Sequence, residues 1–264
     1  MKVFQRDEDR CGPRIVVLGM FDGVHRGHQK LLEAGREMKE GGEAKLRVCT
    51  FDRHPLTVLR PEAAPPMITS IPEKARLMRL FGADEMQLIP FTRSLADLSP
   101  EDFLQRLRER TRLIAIVAGW NYSFGRGGAG GADTLIRDGE KHGYAVRIVP
   151  PVTIEGGDQV ISSSAVREAV AAGELHPAAI MLGRFPEFTG IAEAPAGAAE
   201  SRVRLRSRLL PPDGIYRGRI RFAGERENEG LVIRLKNGYA APENRAGFRR
   251  SEGEKCRLIL EGRL

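Results

Sequence analysis

The 264-residue chain holds only three cysteines, Cys11, Cys49 and Cys256, odd in number, far apart and without a C-x-x-C pair. That excludes a disulfide framework and a zinc site of the usual spacing, and reduced thiols are expected. No apolar run approaches the roughly 20 residues that a membrane helix needs. The first residues, M-K-V-F-Q-R-D-E-D-R, are charged where a secretory leader would be apolar. A cytoplasmic protein without a membrane partner is the expectation. Aromatic residues are scarce at 6%, and none alternates with the arginines that crowd the C-terminal third. Without such stacking platforms, no nucleic-acid partner is expected. No internal repeat is evident, and nothing in the sequence specifies an oligomeric state.

Against these absences stand ordinary core material and a surplus of positive charge. Hydrophobic residues make up 41%, enough for packed cores, and the length suits two domains. The formal net charge of +7 suits anionic ligands such as nucleotides and phosphorylated substrates. Between 185 and 264 there are 16 Lys plus Arg against 11 Asp plus Glu, so most of the surplus is C-terminal. There Arg202, Arg204, Arg206 and Arg208 alternate with Val203, Leu205, Ser207 and Leu209, which predicts four arginines on one solvated strand face.

The most informative stretch is Ile15 to Gln29, I-V-V-L-G-M-F-D-G-V-H-R-G-H-Q. Ile15 to Leu18 suits a strand buried on both faces, and Gly19, Gly23 and Gly27 punctuate the change to a helical pattern. His25 and His28, three apart, fall in the first helical turn, where backbone N–H groups and the dipole favour a phosphate. Gly27 lets that phosphate approach the backbone between two imidazoles, and a nucleoside triphosphate is the natural ligand. An isolated H-x-x-H is equally a helix start with two exposed histidines, so the neighbouring segments decide.

Those segments alternate. Ala44 to Phe51 reads as a strand, followed by T-F-D-R-H-P, in which Pro55 is expected to block a helix and favour a turn. Asp52 and His54, beyond a strand's carboxyl end, would face the same crevice as His25. Ser70 to Leu80 is a capped helix, Glu85 to Ile89 a strand, Pro100 to about Arg110 a helix capped by Ser99, and Ile114 to Ala118 a strand. The glycine-rich loop Gly119 to Gly131 then carries Trp120, Tyr122 and Phe124, aromatic surface for a flat ring. After helix Thr134 to His142 and strand Ala145 to Val149 comes I-S-S-S-A-V-R, a helix start ending at Gly173. An N-cap uses one serine of Ser162, Ser163 and Ser164; the others can donate to phosphate, with Arg167 one turn on as a bidentate phosphate ligand. The alternation argues for a doubly wound α/β sheet. Beyond 184, short alternating runs at 217–222, 231–235 and 255–260 predict a small β-barrel or meander.

In these motifs the chain resembles the nucleotidyltransferase superfamily, and G-M-F-D-G-V-H-R-G-H is similar to the signature of the bacterial bifunctional riboflavin kinase/FMN adenylyltransferases, the FAD synthetases. T-F-D-R-H-P resembles the family's T-F-x-P-H-P, with Arg53 for the first proline. G-W-N-Y-S-F-G resembles G-x-D-F-x-F-G, with Asn121 for Asp and Tyr122 for Phe, and Gly128 replaces a following arginine. S-S-S-A-V-R resembles S-S-T-x-I-R. Met20 stands where the family usually has Asn. After Leu182-Gly183-Arg184 the family's kinase signature, G-R-x-x-G-x-P-T-A-N, is missing, while P-P-D-G-I-Y resembles the later P-x-G-V-Y.

The resemblance implies a Rossmann-like adenylyltransferase domain over 1–184 and, over 185–264, a reduced β domain related to the kinase but without its chemistry. It implies AMP transfer from ATP to FMN, giving FAD and pyrophosphate, with Mg²⁺. By that resemblance Gly19, Phe21, Asp22, Gly23, His25, Gly27, His28, Ser162, Ser163, Ser164 and Arg167 bind ATP, with His25, His28 and Arg167 catalytic. Asp52, His54, Asn121, Phe124 and Gly125 fall on the FMN side. No metal ligands are assigned; Asp22 is the nearest carboxylate. The departures at Asn121, Gly128 and Met20 keep two alternatives in view: another phosphorylated acceptor, or a binder that does not catalyse.

Overall fold

The computed structural model describes residues 1–4, 12–39, 42–194, 200–222, 228–244 and 248–264. Cys11 and the middle of the small-residue linker at 195–199 lie outside the described residues. By their internal contacts the residues form two units, one of Met1–Pro65 with Ser70–Val160, the other of Pro66–Thr69 with Ile161–Leu264.

The first unit is a six-stranded sheet in the order β1-β4-β3-β2-β5-β6. The strands are β1 (Lys2–Phe4), β2 (Arg14–Leu18), β3 (Lys45–Phe51), β4 (Glu85–Ile89), β5 (Leu113–Gly119) and β6 (Ala145–Val149). Every pairing is parallel. All five residues of β2 are buried, because the strand has cover on both faces. Ile15 and Val17 join Leu31 and Leu32 of α1 (Arg26–Glu37) and Leu77 and Met78 of α3 (Ile71–Leu80). Val16 and Leu18 join Phe103, Leu104 and Leu107 of α5 (Pro100–Arg110) and Leu135 of α6 (Ala132–His142). A strand between two helical layers needs apolar side chains at every position, which is why this run does not alternate. The chain winds outward from β2 through β3 to β4, then returns to β5 on the other side, so the order reverses between β2 and β5. In such sheets the loops diverge at the carboxyl ends of the strands flanking that reversal, and a ligand crevice opens there.

Two short helices depart from the expected pattern. A single turn, α2 (Leu56–Leu59), begins directly after Pro55. The expectation that Pro55 blocks a helix is corrected: with no N–H to lose, proline is tolerated at a helix start. A further turn, α4 (Arg93–Ala96), is capped by the Thr92 side chain.

The second unit holds α7 (Ser163–Ala172), α8 (Leu175–Leu182) and a closed antiparallel barrel of order β10-β11-β8-β7-β12-β9. Its strands are β7 (Glu187–Glu193), β8 (Arg202–Leu205), β9 (Gly214–Phe222), β10 (Asn228–Lys236), β11 (Tyr239–Pro242) and β12 (Lys255–Arg263). Gly218 is required where the wall bends: a Cβ there would stand 2.4 Å from the Ile259 carbonyl oxygen. The four-arginine strand is corrected, because β8 ends at Leu205 and only Arg202 and Arg204 share its outer face. Both reach Glu193 on the adjacent β7. No helix among the described residues is long and apolar enough to cross a membrane.

At the amino end of the sheet, three charges are buried together. Arg14 of β2 grips Glu85 of β4 through Nε and Nη2 at 2.9 and 3.1 Å, and Arg47 of β3 reaches the same carboxylate at 2.9 Å. Burial pushes the Glu85 pKa up, but hydrogen bonds from Arg14 and Arg47 outweigh it and hold the carboxyl below its ordinary value. Removing the charge leaves two guanidinium groups inside the protein without their counterion. Glu85→Gln is therefore expected to cost about 3–5 kcal/mol of stability in equilibrium urea unfolding. A loss within 1 kcal/mol contradicts this account.

Candidate active site

Between β2 and α1 the chain turns through unusual backbone. Phe21, Gly23 and Val24 have φ of 52°, 80° and 44°. Glycine adopts this region freely, whereas for phenylalanine and valine it is strained. The strain is held by packing, since both side chains are fully buried in the core between the sheet and α1. Gly19 has no room for a side chain, because a Cβ there would lie 2.9 Å from the Phe21 ring.

The turn delivers His25 to the N-cap of α1, one position earlier than expected, where its Nδ1 accepts the backbone N–H of His28 at 3.4 Å. With Nδ1 accepting that bond, Nε2 is the ring nitrogen left to donate. The two rings stack with centroids 3.7 Å apart, and His28 also rests 4.9 Å from the Phe21 ring. Burial, then His25, then Lys74 push the His28 pKa well below the ordinary value. Two stacked rings at the N-terminus of α1, with Gly27 between them, are placed so that a ring N–H can be donated to an anion.

Lys74 escaped the sequence reading. It lies inside α3, is 1% exposed, and donates from Nζ to the Met20 carbonyl at 2.8 Å. Thr50, at the end of β3, donates to the same oxygen at 2.9 Å. Burial lowers the Lys74 ammonium to about 8, partly offset by the Asp22 carboxylate, itself 1% exposed. A signal was available in I-P-E-K-A-R-L-M: Lys74 stands three and four residues before Leu77 and Met78, on the stripe that α3 buries. Among the described residues no three His, Cys, Asp or Glu are grouped to hold a metal, and the buried Asp22 answers Lys74.

Other candidates stand beyond neighbouring strands. Asp52 follows β3 and accepts the Phe91 backbone N–H at 3.0 Å and hydrogen bonds from Nε, to both carboxylate oxygens, and Nη2 of Arg53. Burial opposes its ionisation, but those bonds prevail and lower its pKa. His54 accepts the Leu56 N–H on Nδ1 at 3.2 Å, which starts α2. Asn121 is exposed in a turn after β5. None of these three lines the nearby cavity of about 430 Å³, whereas Phe124 and Gly125 do, together with Phe51, Phe91 and Phe103 and with Arg60, Arg93 and Arg126 at its polar edge. Gly125, at φ 75°, lies so close to Pro100 that a Cβ would meet its nitrogen at 2.8 Å. Of the loop aromatics, Tyr122 packs into the core against Phe124 and Trp120 is half exposed.

In the second unit Ser162 is the N-cap of α7, accepting the Ala165 N–H at 3.2 Å. Ser163 and Ser164 open the helix and Ser164 is exposed. Arg167, one turn in, donates from Nε to the Pro66 carbonyl at 2.9 Å.

A family model described as FAD synthetase matches residues 7–165. The chain is 30% identical over 223 residues to a bifunctional riboflavin kinase/FMN adenylyltransferase of Listeria monocytogenes, covering 80% of this chain and 69% of that one. It is 29% identical over 225 residues to a protein of the same organism named FAD synthetase, covering 85% and 88% of the two. Among solved structures, a macrolide-efflux protein from Streptococcus pneumoniae superposes with a TM-score of 0.84 over 100% of this chain and 90% of that one. At 24% identity that likeness is one of fold.

The buried imidazole pair has a measurable consequence. Because the folded His28 takes up its proton at lower pH than the ordinary 6.5, the unfolded chain binds more protons as the pH falls through that value. Its contribution to stability is therefore present above about pH 6.5 and lost on acidification. Between pH 7.5 and 5.5 the melting temperature should fall more steeply for the wild-type protein than for His28→Gln. Equal slopes would show that His28 titrates normally.

Proposed function

The chain belongs to the FAD synthetase family, and from that premise we propose how its residues carry out the reaction. It is an FMN adenylyltransferase: AMP passes from ATP to FMN, giving FAD and pyrophosphate. A phosphate monoester is largely ionised at neutral pH, so the FMN phosphate attacks the α-phosphorus without a protein nucleophile or general base. Catalysis is then positioning and charge stabilisation.

The observation that carries the residue assignment is the stacked His25–His28 pair at the N-terminus of α1, beyond the central strand where the sheet order reverses. In our reading the Nε2–H of His25, the His28 ring and the loop of Gly19, Phe21, Asp22, Gly23 and Gly27 cradle the triphosphate. Ser162, Ser163, Ser164 and Arg167 hold the departing pyrophosphate. The aromatic cavity at Phe124 and Gly125 takes the flavin ring, with Asp52, His54 and Asn121 as flanking polar groups. Met20 in place of Asn suits this role, since it is its backbone carbonyl that Thr50 and Lys74 hold. We infer that Mg²⁺ enters with the substrate as MgATP, because this ion is usually held by substrate phosphates together with one or two carboxylates, of which Asp22 is the nearest here.

We place the functional boundary at 184/185, although compactness groups α7 and α8 with the barrel. We also propose that the barrel does not phosphorylate riboflavin, because the signature that shapes a kinase nucleotide site is missing between Arg184 and Pro211. One experiment tests both parts: pure protein with ATP and Mg²⁺ is given FMN or riboflavin, and products are separated by chromatography. FAD from FMN and no FMN from riboflavin are expected; phosphorylated riboflavin overturns the second part, and absence of FAD the first.

Arg167→Lys probes the leaving-group assignment, since it keeps the charge and loses the fork. If Arg167 follows charge developing on pyrophosphate, kcat falls at least tenfold, about 1.4 kcal/mol, while the ATP KM changes by less. Weakened ATP binding at unchanged turnover would make Arg167 a ground-state anchor instead.

A further inference from the structure

Lys74 is a cation on a face that α3 otherwise buries with Leu77 and Met78. Its phase is set locally: Ser70 caps the helix, Glu73 completes a capping box by accepting the Ser70 N–H at 2.8 Å, and the next residue, the lysine, is turned inward. A buried ammonium is a poor way to stabilise a fold, since losing its hydration costs more than one bond to a neutral carbonyl returns, and an apolar side chain of similar length would pack there without that cost. What Lys74 holds is the Met20 carbonyl, immediately before the strained Phe21. Its charge is felt at Asp22 and His28, on either side of the turn that ends at the His25 cap.

We propose that Lys74 is a positioning residue for adenylyl transfer: from beneath residues 20–28 it fixes the loop backbone in the form that meets the triphosphate and adds a positive charge under that surface. This rests on the reading of the His25–His28 loop as the triphosphate cradle. The two parts of the role are separable. Thr50 also anchors the Met20 carbonyl, so the bond is shared, but the charge is supplied by Lys74. Removing the cation should therefore act on ATP and leave the flavin cavity, built from Phe51, Phe91, Phe103 and Phe124, nearly unaffected.

The test compares Lys74→Met, which keeps length and removes charge and donor, with Lys74→Gln, which keeps a donor, and with His28→Ala. Each is assayed for FAD formation against ATP, for FMN affinity by flavin fluorescence, and for melting temperature. Lys74→Met should lower kcat/KM for ATP at least 30-fold while FMN affinity changes less than threefold and the melting temperature falls by no more than a few degrees. Lys74→Gln should fall between Lys74→Met and wild type. An ATP kcat/KM within threefold of wild type for Lys74→Met, with His28→Ala strongly impaired, overturns the role of Lys74 alone. An unimpaired His28→Ala overturns the cradle reading and this inference with it. Parallel losses in ATP use, FMN affinity and melting temperature, or failure of both Lys74 variants to fold, would make Lys74 a structural residue and end the proposal.

Discussion

The shape of the loop between β2 and α1 depends on one backbone oxygen. The Met20 carbonyl accepts a hydroxyl proton from Thr50 at the end of β3 and an ammonium proton from Lys74 inside α3. The loop after β2 is thereby tied to two elements that come later in the chain. From that fixed point the backbone passes through two non-glycine residues with positive φ before His25 caps α1. Strain of this kind persists only where the surroundings determine the conformation, and here a buried cation, a buried phenylalanine and a helix cap do so together.

The electrostatics obey the same logic. A cluster of His25, His28 and Lys74 carries less charge than its composition suggests, because burial, reinforced by the positive charge of its neighbours, holds the His28 pKa well below the ordinary value. A neutral imidazole donates a hydrogen bond without attracting a competing counterion, and the His25 and His28 rings stack at 3.7 Å, which two imidazolium rings would resist. The cation, Lys74, is held below the surface, with its pKa lowered to about 8 by burial, and in the proposed role it favours an anion above it without forming a tight surface ion pair. That division suits adenylyl transfer, in which the substrate must be held and its product released.

Much of this was legible in the sequence because local rules and global packing agree. The apolar run at Ile15, the Ser70 and Ser99 caps, Pro100 at the first helical position and Gly173 at a left-handed helix end each state their own conformation. The strand at 85–89 and that at 145–149 have the boundaries the pattern predicts. The features that remained hidden depend on context. A lysine on an apolar stripe looks like a flaw in amphipathicity until the Met20 carbonyl is seen in front of it. Pro55 is a breaker for the residues before it and a starter for Leu56 to Leu59 after it, and the sequence alone does not say which role prevails. The arginines at 206 and 208 continue an alternation that the strand does not keep, since alternation is also compatible with a turn leaving the sheet. The cavity aromatics Phe51, Phe91 and Phe103 are distant in sequence, and only the meeting of the ends of β3 and β4 with α5 brings them to one place.

The C-terminal surplus of arginine takes a different meaning once the barrel is closed. Arg202 and Arg204 share Glu193, Arg234 meets Glu243, Arg219 meets Glu261, and Arg257 meets Glu187. In an antiparallel barrel each outward residue has neighbours on two adjoining strands, so an arginine finds a carboxylate across the ladder more readily than along its own strand. Exposed pairs of this kind add little stability, about 0–1 kcal/mol each, but they fix long side chains against the wall. For these five arginines the positive charge is answered within the barrel wall. Closure also settles the edges: six paired strands leave none exposed, whereas a partial barrel would expose them.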